Sequence, residues 1–333
     1  MQGISILICC YNSEDKIGLT LQHLSLQKSG NIPWEIILIN NNSTDNTAKV
    51  AQKAWKDQTT PFRIIDEPRA GLSFARTTGV EVAQYDIISF VDDDNLVPEN
   101  WIEYQFNTFQ KPEIDILGCT SVGYFNFTPP DWYKKEIHQL AFATGPIHTD
   151  KLKNITQDGL VYGAGMTLRK KIYSNLKALN WQPLLTGRIG NKQAGGEDSE
   201  LTLAARLLGY SIYYSNEIKT QHNISENRLT WERLKNVTRG FGSADVFLTP
   251  YNYYYLDKNN RLSFFQSLRK FWWFNYFGKK GSLILWTIRH HMGQIDKEDF
   301  EILSIRLQAF CDTLRIEKSR FKESFRHVKE LIK

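Results

Sequence analysis

The sequence predicts an α/β fold in which a mostly parallel sheet is flanked by helices and followed by a helical C-terminal extension. The first third of the chain alternates continuous apolar runs with amphipathic stretches, which is typical of parallel strands joined by helical crossovers. The last hundred residues instead repeat large apolar side chains at helical spacing. With 333 residues, 41% of them hydrophobic, the chain is long and apolar enough for one large domain or two smaller ones.

Each strand of the first third is predicted from a short β-rich run, and each helix from the amphipathic stretch that follows it. The predicted strands are residues 4–9, 34–39, 62–65 and 86–91. The predicted helices are residues 16–26, 45–58 and 72–83, with Ser13 as the cap of the first. Parallel sheets bind ligands beyond the carboxyl ends of their strands, so the loops at 10–14, 40–45 and 92–95 are the candidate binding loops.

The middle of the chain is less regular, with a predicted helix at 197–208 and a predicted strand at 211–214. The composition then changes. Residues 231–333 hold 19 Lys and Arg against 11 Asp and Glu, whereas residues 1–230 hold 22 against 25. Apolar residues between Leu303 and Val328 recur at helical spacing and predict one or two long amphipathic helices.

Residues 251–286 hold 13 of the 43 aromatic residues, mixed with lysine and arginine. Two interpretations are open: a helical cap whose rings pack on the rest of the protein, or a peripheral contact with the inner leaflet of a membrane. No apolar run reaches the roughly 18 residues that a spanning helix needs, and no export signal is visible. Four cysteines without a paired spacing fit a reducing compartment, so we expect a cytoplasmic protein. The basic tail contains no nucleic-acid-binding motif, and we predict no nucleic acid partner.

Three consecutive carboxylates, Asp92, Asp93 and Asp94, follow the predicted strand at 86–91. Grouped like charges need neutralisation, and Mg²⁺ or Mn²⁺ would supply it while binding phosphate oxygens and water. If the extended conformation continues past Val91, Asp92 and Asp94 share a face. Asp94 would then bind the metal directly, and Asp92 or Asp93 would reach its waters or a ribose hydroxyl. The alternative is a polar turn whose aspartate caps a helix at 98–109.

A second acidic pair, Glu197 and Asp198, follows Gly195-Gly196 at the start of the predicted helix at 197–208. Helix capping explains one of these carboxylates, because the exposed N–H groups of a helix start favour negative charge. The other could take a proton from an acceptor hydroxyl as a general base. His222 could complete a metal shell with Asp94, although a structural histidine is the alternative.

Five motifs in order resemble the signature of family-2 inverting glycosyltransferases with the GT-A fold, a Rossmann-like nucleotide-diphospho-sugar transferase fold, over about residues 3–230. The motifs are Ser5-Ile-Leu-Ile-Cys-Cys-Tyr-Asn12, Glu35-Ile-Ile-Leu-Ile-Asn-Asn-Asn-Ser-Thr-Asp45, Gly71-Leu-Ser-Phe-Ala-Arg76, Phe90-Val-Asp-Asp-Asp-Asn95 and Gly196-Glu-Asp-Ser-Glu200. The segment Gly163-Ala-Gly-Met-Thr-Leu-Arg169 resembles the small-residue stretch that lies by the sugar and acceptor in such enzymes. The resemblance implies a donor-binding half at 1–110, an acceptor and catalytic-base half at 111–230, and an extension at 231–333.

The resemblance also implies a role for each matching residue. The implied donor-binding residues are Cys10, Tyr11, Asn12, Asn40, Asn41, Arg76, Asp92, Asp93 and Asp94. The implied metal contacts are Asp92, Asp94 and His222. The implied catalytic residues are Asp198, as general base, and Glu197. We predict that Trp132, Gly163, Gly165 and Glu197 contact the acceptor, with core packing as the alternative for Trp132. Family members often have aspartate where this chain has Asn41, and asparagine where it has Thr77.

The implied activity is the transfer of a sugar, with inversion, from a nucleotide-diphosphate donor to a hydroxyl of a glycan or lipid-linked acceptor. The expected donor is a UDP-sugar, the expected cofactor is Mn²⁺ or Mg²⁺, and the expected process is bacterial surface polysaccharide or glycoconjugate biosynthesis. The alternative is a non-catalytic nucleotide-sugar or glycan-binding scaffold in a polysaccharide assembly complex. The expected location is cytoplasmic, with or without peripheral contact at the inner face of the membrane.

Overall fold

The computed structural model describes residues 2–145, 148, 150–185 and 195–332, and these form two compact units. The first, which we call the sheet unit, comprises Met1–Thr128, Ala143–Asn180 and Tyr210–Ser225. The second, the helical unit, comprises Pro129–Phe142, Trp181–Gly209 and Glu226–Lys333. The chain therefore passes between the units several times. The division after residues 110 and 230 stays a prediction.

In the described part of the sheet unit, nine strands form one sheet in the order β3-β2-β1-β4-β8-β6-β9-β5, with β7 beside β9. The strands are β1 (Ile4–Cys10), β2 (Trp34–Asn40), β3 (Phe62–Asp66), β4 (Ile87–Phe90), β5 (Asn95–Leu96), β6 (Ile116–Tyr124), β7 (Leu152–Asn154), β8 (Thr167–Arg169) and β9 (Ile212–Asn223). The first four strands run parallel, β8 is antiparallel to both β4 and β6, and β6 is parallel to β9. The predicted mostly parallel sheet is confirmed.

Helices cover both faces of the sheet, as its continuous apolar strands require. Those of the sheet unit are α1 (Ile17–Ser25), α2 (Thr47–Ala54), α3 (Leu72–Val82), α4 (Trp101–Phe109) and α6 (Lys171–Ala178). Ile6 and Ile8 of β1 belong to one core cluster with Leu21 of α1. On the other face, Gly79 of α3 lies against Leu7 and Ile39, with so little room that an added Cβ would be 3.0 Å from Leu7 Cδ1. The alternation of side chains along β1 thus places α1 and α3 on opposite faces.

Two details of the predicted elements are wrong. Strand β4 ends at Phe90, and Asp93 and Asp94 lie in a turn closed by a 3.0 Å hydrogen bond from Asn95 N to Asp92 O. The extended conformation that would put Asp92 and Asp94 on one face therefore does not continue. Ser13 does not cap α1 with its side chain either, because its hydroxyl donates to Asp93 instead.

The helical unit contains α5 (Glu136–Ala141), α7 (Glu197–Leu207), α8 (Trp231–Lys258), α9 (Phe264–Ser267), α10 (Trp272–His291), α11 (Lys297–Ile316) and α12 (Lys318–Glu330). The predicted C-terminal amphipathic stretch is confirmed as two helices, α11 and α12, which are separated at Glu317. Helix α8 approaches α11 so closely that a Cβ on Gly242 would lie 2.3 Å from Arg306 O. None of the described helices is both long and apolar enough to cross a membrane.

Within the helical unit, α7 is tied to the segment before residue 186 by the buried carboxylate of Glu200. Its two oxygens accept hydrogen bonds from the backbone N–H groups of Leu184 and Leu185, each at 2.7 Å, and Oε1 also accepts one from the Tyr251 hydroxyl at 2.7 Å. Trp181 Nε1 donates to the same hydroxyl at 3.0 Å. Burial raises the pKa of Glu200 from 4.5 to about 7, although these hydrogen bonds lower it.

Substitution of Gly165 tests the packing beside β4. Gly165 has φ +79°, and an added Cβ would lie 2.7 Å from Cys119 Sγ and 3.2 Å from the Trp101 ring. We expect Gly165→Ala to lower the free energy of unfolding by about 2–5 kcal/mol, from left-handed backbone strain and overpacking together. Gly30→Ala is the control, since Gly30 has φ +55° but open space around it. Equal losses in denaturant titrations of the two variants would contradict this packing.

The pH dependence of stability tests the burial of Glu200. Since its pKa is raised, the folded protein binds a proton at Glu200 more tightly than the unfolded chain does between pH 4.5 and about 7. The free energy of unfolding should therefore fall as the pH rises through this window, by up to about 3 kcal/mol from this group. In Glu200→Gln this part of the slope should disappear, whereas Glu323→Gln, at an exposed position of α12, should keep it. An unchanged slope in Glu200→Gln would disprove the assignment.

Candidate active site

The loops after β1 and β2 are joined at the carboxyl edge of the sheet. Asn12 Oδ1 accepts from Thr44 N at 2.8 Å, and Asn12 N donates to Ser43 Oγ at 3.1 Å. Asn41 N donates to Cys10 O at 2.8 Å. Asn12 and Asn42 have φ of 49° and 62°, a conformation that asparagine tolerates better than most residues. These bonds hold Cys10, which is buried, and Tyr11, which is 52% exposed, at the edge where parallel sheets bind ligands.

Asn40 and Asn41 differ in how their side chains are used. Asn41 is buried, its Nδ2 donates to Glu67 O at 3.0 Å and Arg69 O at 2.6 Å, and its Oδ1 accepts from Gly71 N at 3.0 Å. It therefore fixes the loop between β3 and α3. Asn40 Nδ2 donates to Asp66 Oδ1 at 2.8 Å, and Asn40 Oδ1 is a buried acceptor with no hydrogen-bond partner among the described residues.

Arg76 projects from α3 as a buried cation beside the end of β4. It is 4% exposed, and its guanidinium carbon lies 5.1 Å from the centroid of the Phe90 ring. Burial raises the pKa of the Cys9 thiol to about 12, while the charge of Arg76 lowers it and the charges of Asp92 and Asp93 raise it. The charges of Arg76 and of the acidic turn thus both act on the Cys9 thiol near the end of β1. A buried guanidinium there is suited to phosphate oxygens.

Asp93 turns inward and holds the acidic turn against α1. Lys16 Nζ lies 2.9 Å from Asp93 Oδ1, the Ser13 hydroxyl donates to Oδ2, and Thr20 Oγ1 donates to the backbone carbonyl of Asp93 at 2.9 Å. Burial and the neighbouring charge of Asp94 raise the pKa of Asp93, whereas Lys16 and Ser13 lower it. The contacts of Asp93 therefore stabilise the turn itself. Its role in donor binding stays a prediction.

Lys16 was not singled out by sequence reasoning, yet it also lies 3.6 Å from Asp94 Oδ2. It partly neutralises the acidic turn from the start of α1. The sequence carries no local signal for this role, because Lys16 precedes α1 and the two carboxylates that it contacts are distant in sequence.

Asp94 and His222 are brought together by the pairing of β5 with β9. Asn95 and His222 are register partners in these antiparallel strands, and Asn223 N donates to Asp94 O at 2.8 Å. Asp94 Oδ1 lies 3.6 Å from His222 Nε2, and both residues are less than a tenth exposed. The predicted proximity of Asp94 and His222 is thus observed. Asp94 and His222 are therefore the two residues here that could hold a divalent cation.

No group of three acidic, histidine or cysteine side chains in the described ranges forms a complete metal cage. Asp92 is half-buried in the same turn. Its direct role as a metal ligand stays a prediction.

The predicted small-residue segment lies directly beside the acidic turn. Gly165 N donates to Phe90 O at 3.0 Å, Phe90 N donates to Met166 O at 2.9 Å, and Met166 N donates to Gly163 O at 3.1 Å. Gly163 and Gly165 are therefore next to the residue at which β4 ends. Their contact with an acceptor stays a prediction, while the tight packing around Gly165 already explains the glycine there.

The remaining predicted site residues belong to the helical unit. Glu197 and Asp198 are half-buried in the first turn of α7, whose N-cap is Gly196 at φ 103°. The predicted helix start is confirmed, and the catalytic roles of these two residues stay predictions. Trp132 packs in an aromatic cluster, with its ring centroid 5.5 Å from that of Trp231 and 6.1 Å from that of Phe142. These contacts favour the packing interpretation of Trp132.

A surface cavity of about 500 Å³ lies at the amino end of β4, beside Gln2, Asp86 and Lys171. It shares no residue with the loops described above. Because parallel sheets bind substrates at the carboxyl ends of their strands, we do not assign the cavity to the candidate active site.

Comparison with known proteins supports a sugar transferase. Among curated relatives, the chain is 20% identical over 235 residues to the glucosyl-dolichyl phosphate glucuronosyltransferase of Haloferax volcanii, which covers 69% of this chain and 72% of that protein. It is 22% identical over 235 residues to glycosyltransferase GlyA of Streptococcus pneumoniae, covering 68% of this chain but 31% of GlyA. The chain thus spans less than a third of the length of GlyA.

Solved structures show the same fold at low identity. The Pyrobaculum calidifontis mannosyltransferase PcManGT, in complex with GDP-Man and Mn²⁺, has a TM-score of 0.56 at 13% identity, covering 94% of this chain and 87% of that one. Staphylococcus aureus TarS 1-349, in complex with UDP-GlcNAc, has a TM-score of 0.52 at 15% identity, covering 98% and 90%. A family model described as Glycosyl transferase family 2 matches residues 5–176, more than half of the chain. The chain therefore belongs to glycosyl transferase family 2 and has the GT-A fold that its motifs predict.

Proposed function

We propose that this protein transfers a sugar, with inversion, from a nucleotide-diphosphate donor to a hydroxyl of a glycan or lipid-linked acceptor. The observation that carries the proposal is the buried Asp94–His222 pair at the carboxyl edge of the sheet, next to the loops after β1 and β2. The same edge carries the buried Arg76 and the loops after β1 and β2, which is where parallel sheets bind ligands.

The donor we propose is a UDP-sugar. TarS was solved with UDP-GlcNAc and PcManGT with GDP-Man, so both bases are candidates from the fold. We assign recognition of the base to the Asn40 amide at the end of β2, whose Nδ2 donates to Asp66 Oδ1 at 2.8 Å. Tyr11 is exposed at the same edge and offers a ring for stacking on the base.

A bound divalent cation would stabilise the negative charge that develops on the diphosphate leaving group. Asp94 and His222 would hold it, and Lys16 with Asp93 fixes the turn that presents Asp94. Arg76 would neutralise further phosphate charge from α3. Asp198 would remove the proton of the incoming hydroxyl, so that the oxygen attacks the anomeric carbon opposite the leaving diphosphate. One displacement of this kind inverts an α-linked donor to a β-linked product.

We place this activity in the cytoplasm, in bacterial surface polysaccharide or glycoconjugate biosynthesis. The curated relatives include bacterial and archaeal glycosyltransferases, which supports a glycoconjugate acceptor without naming it. The second candidate is a non-catalytic nucleotide-sugar-binding scaffold. The two differ in one respect: only the enzyme consumes its donor.

Replacing Asp198 tests the catalytic role. Asp198→Asn should lower turnover of the nucleotide sugar by about 10²–10⁴-fold, since a general base contributes that much, while donor affinity stays near that of the wild type. Diphosphate release with a panel of nucleotide sugars measures turnover, and calorimetry measures donor binding. Asp312→Asn, at a carboxylate 62% exposed on α11, is the control. Near-normal turnover by Asp198→Asn would show that Asp198 is not the general base. If the wild type binds the donor but shows no turnover, the non-catalytic scaffold is favoured.

Replacing Asp94 tests the cation site separately from turnover. With UDP at about 100 times its Kd, Mn²⁺ should raise the free energy of unfolding of the wild type beyond the roughly 2.7 kcal/mol that such an occupancy gives. In Asp94→Asn the Mn²⁺-dependent part should be lost. Asp86→Asn, at the exposed opposite end of β4, should keep it. Thermal shift assays with UDP and with GDP measure both effects, and equal Mn²⁺ responses in Asp94→Asn and the wild type would contradict the site.

A further inference from the structure

Helix α10 is apolar on two faces, and only one of them packs on the helical unit. On the packed face, Tyr276 O lies 3.9 Å from Cys311 Sγ, and Lys279 Nζ lies 5.0 Å from the centroid of the Phe310 ring. The His290 ring stacks on Phe300 at 4.5 Å. All three contacts are made with α11. Even so, none of the 20 residues of α10 is fully buried.

A second face of α10 exposes large apolar side chains. Trp273 is 45% exposed, Phe277 66%, Ile284 63% and Ile288 50%. At 100° per residue these four lie within about 60° of one another around the helix axis. Exposed apolar residues are normally scattered singly over a protein surface, so a row of them needs an explanation.

Two further rings precede the row on α9. Phe264 is 73% exposed and Phe265 is 70% exposed, and the two rings pack only edge to face at 5.7 Å. We call the four residues on α10, Trp273, Phe277, Ile284 and Ile288, the outer apolar surface, and Phe264 and Phe265 are further exposed rings of the same segment. Neither the sheet nor the candidate active site contributes to it.

The segment that carries this surface is strongly and uniformly basic. Residues 258–295 contain seven Lys and Arg and no Asp or Glu. Several of these cations lie against rings, with Lys280 Nζ 5.7 Å from Tyr276 and the Arg289 guanidinium 5.2 Å from Trp286. Aromatic and aliphatic side chains interleaved with cations are the composition that suits the headgroup region of an anionic bilayer.

A second copy of the chain is the main competing occupant, and the charges disfavour it. A symmetric contact through the outer apolar surface would bring two basic segments together without an acidic residue in either segment to pair with them. An anionic lipid surface instead attracts the net positive charge of this segment. A spanning arrangement is not supported either, because no described helix is long and apolar enough.

We propose that the outer apolar surface docks the protein on a membrane that contains anionic lipid. The rings and aliphatic side chains would enter the interface, while the lysine and arginine side chains would contact lipid phosphates. The inference does not depend on sugar transfer, because it uses no residue of the candidate active site.

Co-sedimentation of the full-length chain with vesicles tests this docking. Vesicles of phosphatidylcholine alone are compared with vesicles of phosphatidylcholine and phosphatidylglycerol. Each is tested at low salt and at about 0.5 M salt, because the higher concentration screens surface charge. The protein should sediment with the anionic vesicles at low salt, and much less with neutral vesicles or at high salt. A tube without vesicles controls for aggregation.

Variants separate the apolar and the basic contributions. The double variant Phe277→Ser and Ile284→Ser should lower the partition coefficient for anionic vesicles by about tenfold or more. The reason is that it removes two apolar side chains that the bilayer interface would bury. Lys280→Gln should lower it by roughly fivefold and reduce the salt dependence. Ile316→Ser, 75% exposed on α11, and Lys329→Gln, exposed on α12, are the matched controls and should change neither. All of these positions are surface-exposed or half-exposed, and circular dichroism verifies the fold.

Three outcomes would overturn the proposal. The first is no binding to anionic vesicles at low salt, and the second is equal binding to neutral vesicles. The third is a dimer in sedimentation velocity that the Phe277→Ser and Ile284→Ser double variant converts to monomer, which would assign the surface to a second copy. Turnover with a soluble acceptor should be the same in this variant as in the wild type, so loss of docking and loss of the proposed transfer activity are told apart.

Discussion

The structure of the candidate site depends on how a buried cluster of like charges is held at the end of β4. Asp93 and Asp94 are both less than a tenth exposed, so their charges cannot rely on water. The fold neutralises them asymmetrically. Lys16 and Ser13 engage Asp93 from the side of α1, while His222 faces Asp94 from β9. The carboxylate of Asp93 thus secures the turn, and that of Asp94 lies between Lys16 and the imidazole of His222.

This asymmetry follows from the place where the strand stops. Had β4 continued through residue 94, alternation would have put Asp93 on the face opposite to its two neighbours. The turn that begins after Val91 instead directs Asp93 toward α1 and connects Asp94 to β5 within one residue. Strand β5 is only two residues long, yet its pairing with β9 supplies His222. A short strand with little stability of its own therefore decides which side chain faces Asp94.

The sequence was sufficient for elements whose signal is local. The continuous apolar runs of β1, β2 and β4 and the amphipathic helices between them follow from hydrophobic pattern, as does the start of α7 after a glycine pair. Strand β9 was predicted only over residues 211–214, because residues 216–223 are largely polar and their strand conformation comes from pairing with β5 and β6. Lys16 and Glu200 were missed for a related reason. Their roles come from residues distant in sequence, Asp93 and Tyr251, which no local pattern reports.

Asn41 shows how a departure from a family pattern can be read physically. Its amide nitrogen donates to the carbonyl oxygens of Glu67 and Arg69, and a carboxylate in the same place would face those two oxygens with no proton to offer. The chain therefore uses asparagine here to fix the loop that leads into α3, the helix that carries Arg76. The side chain of Asn40 is used differently, because its Nδ2 donates to Asp66 Oδ1 at 2.8 Å and its Oδ1 has no hydrogen-bond partner in the described part of the chain. The amide that departs from the family pattern therefore stabilises the loop, while the amide of its neighbour bonds to the end of β3.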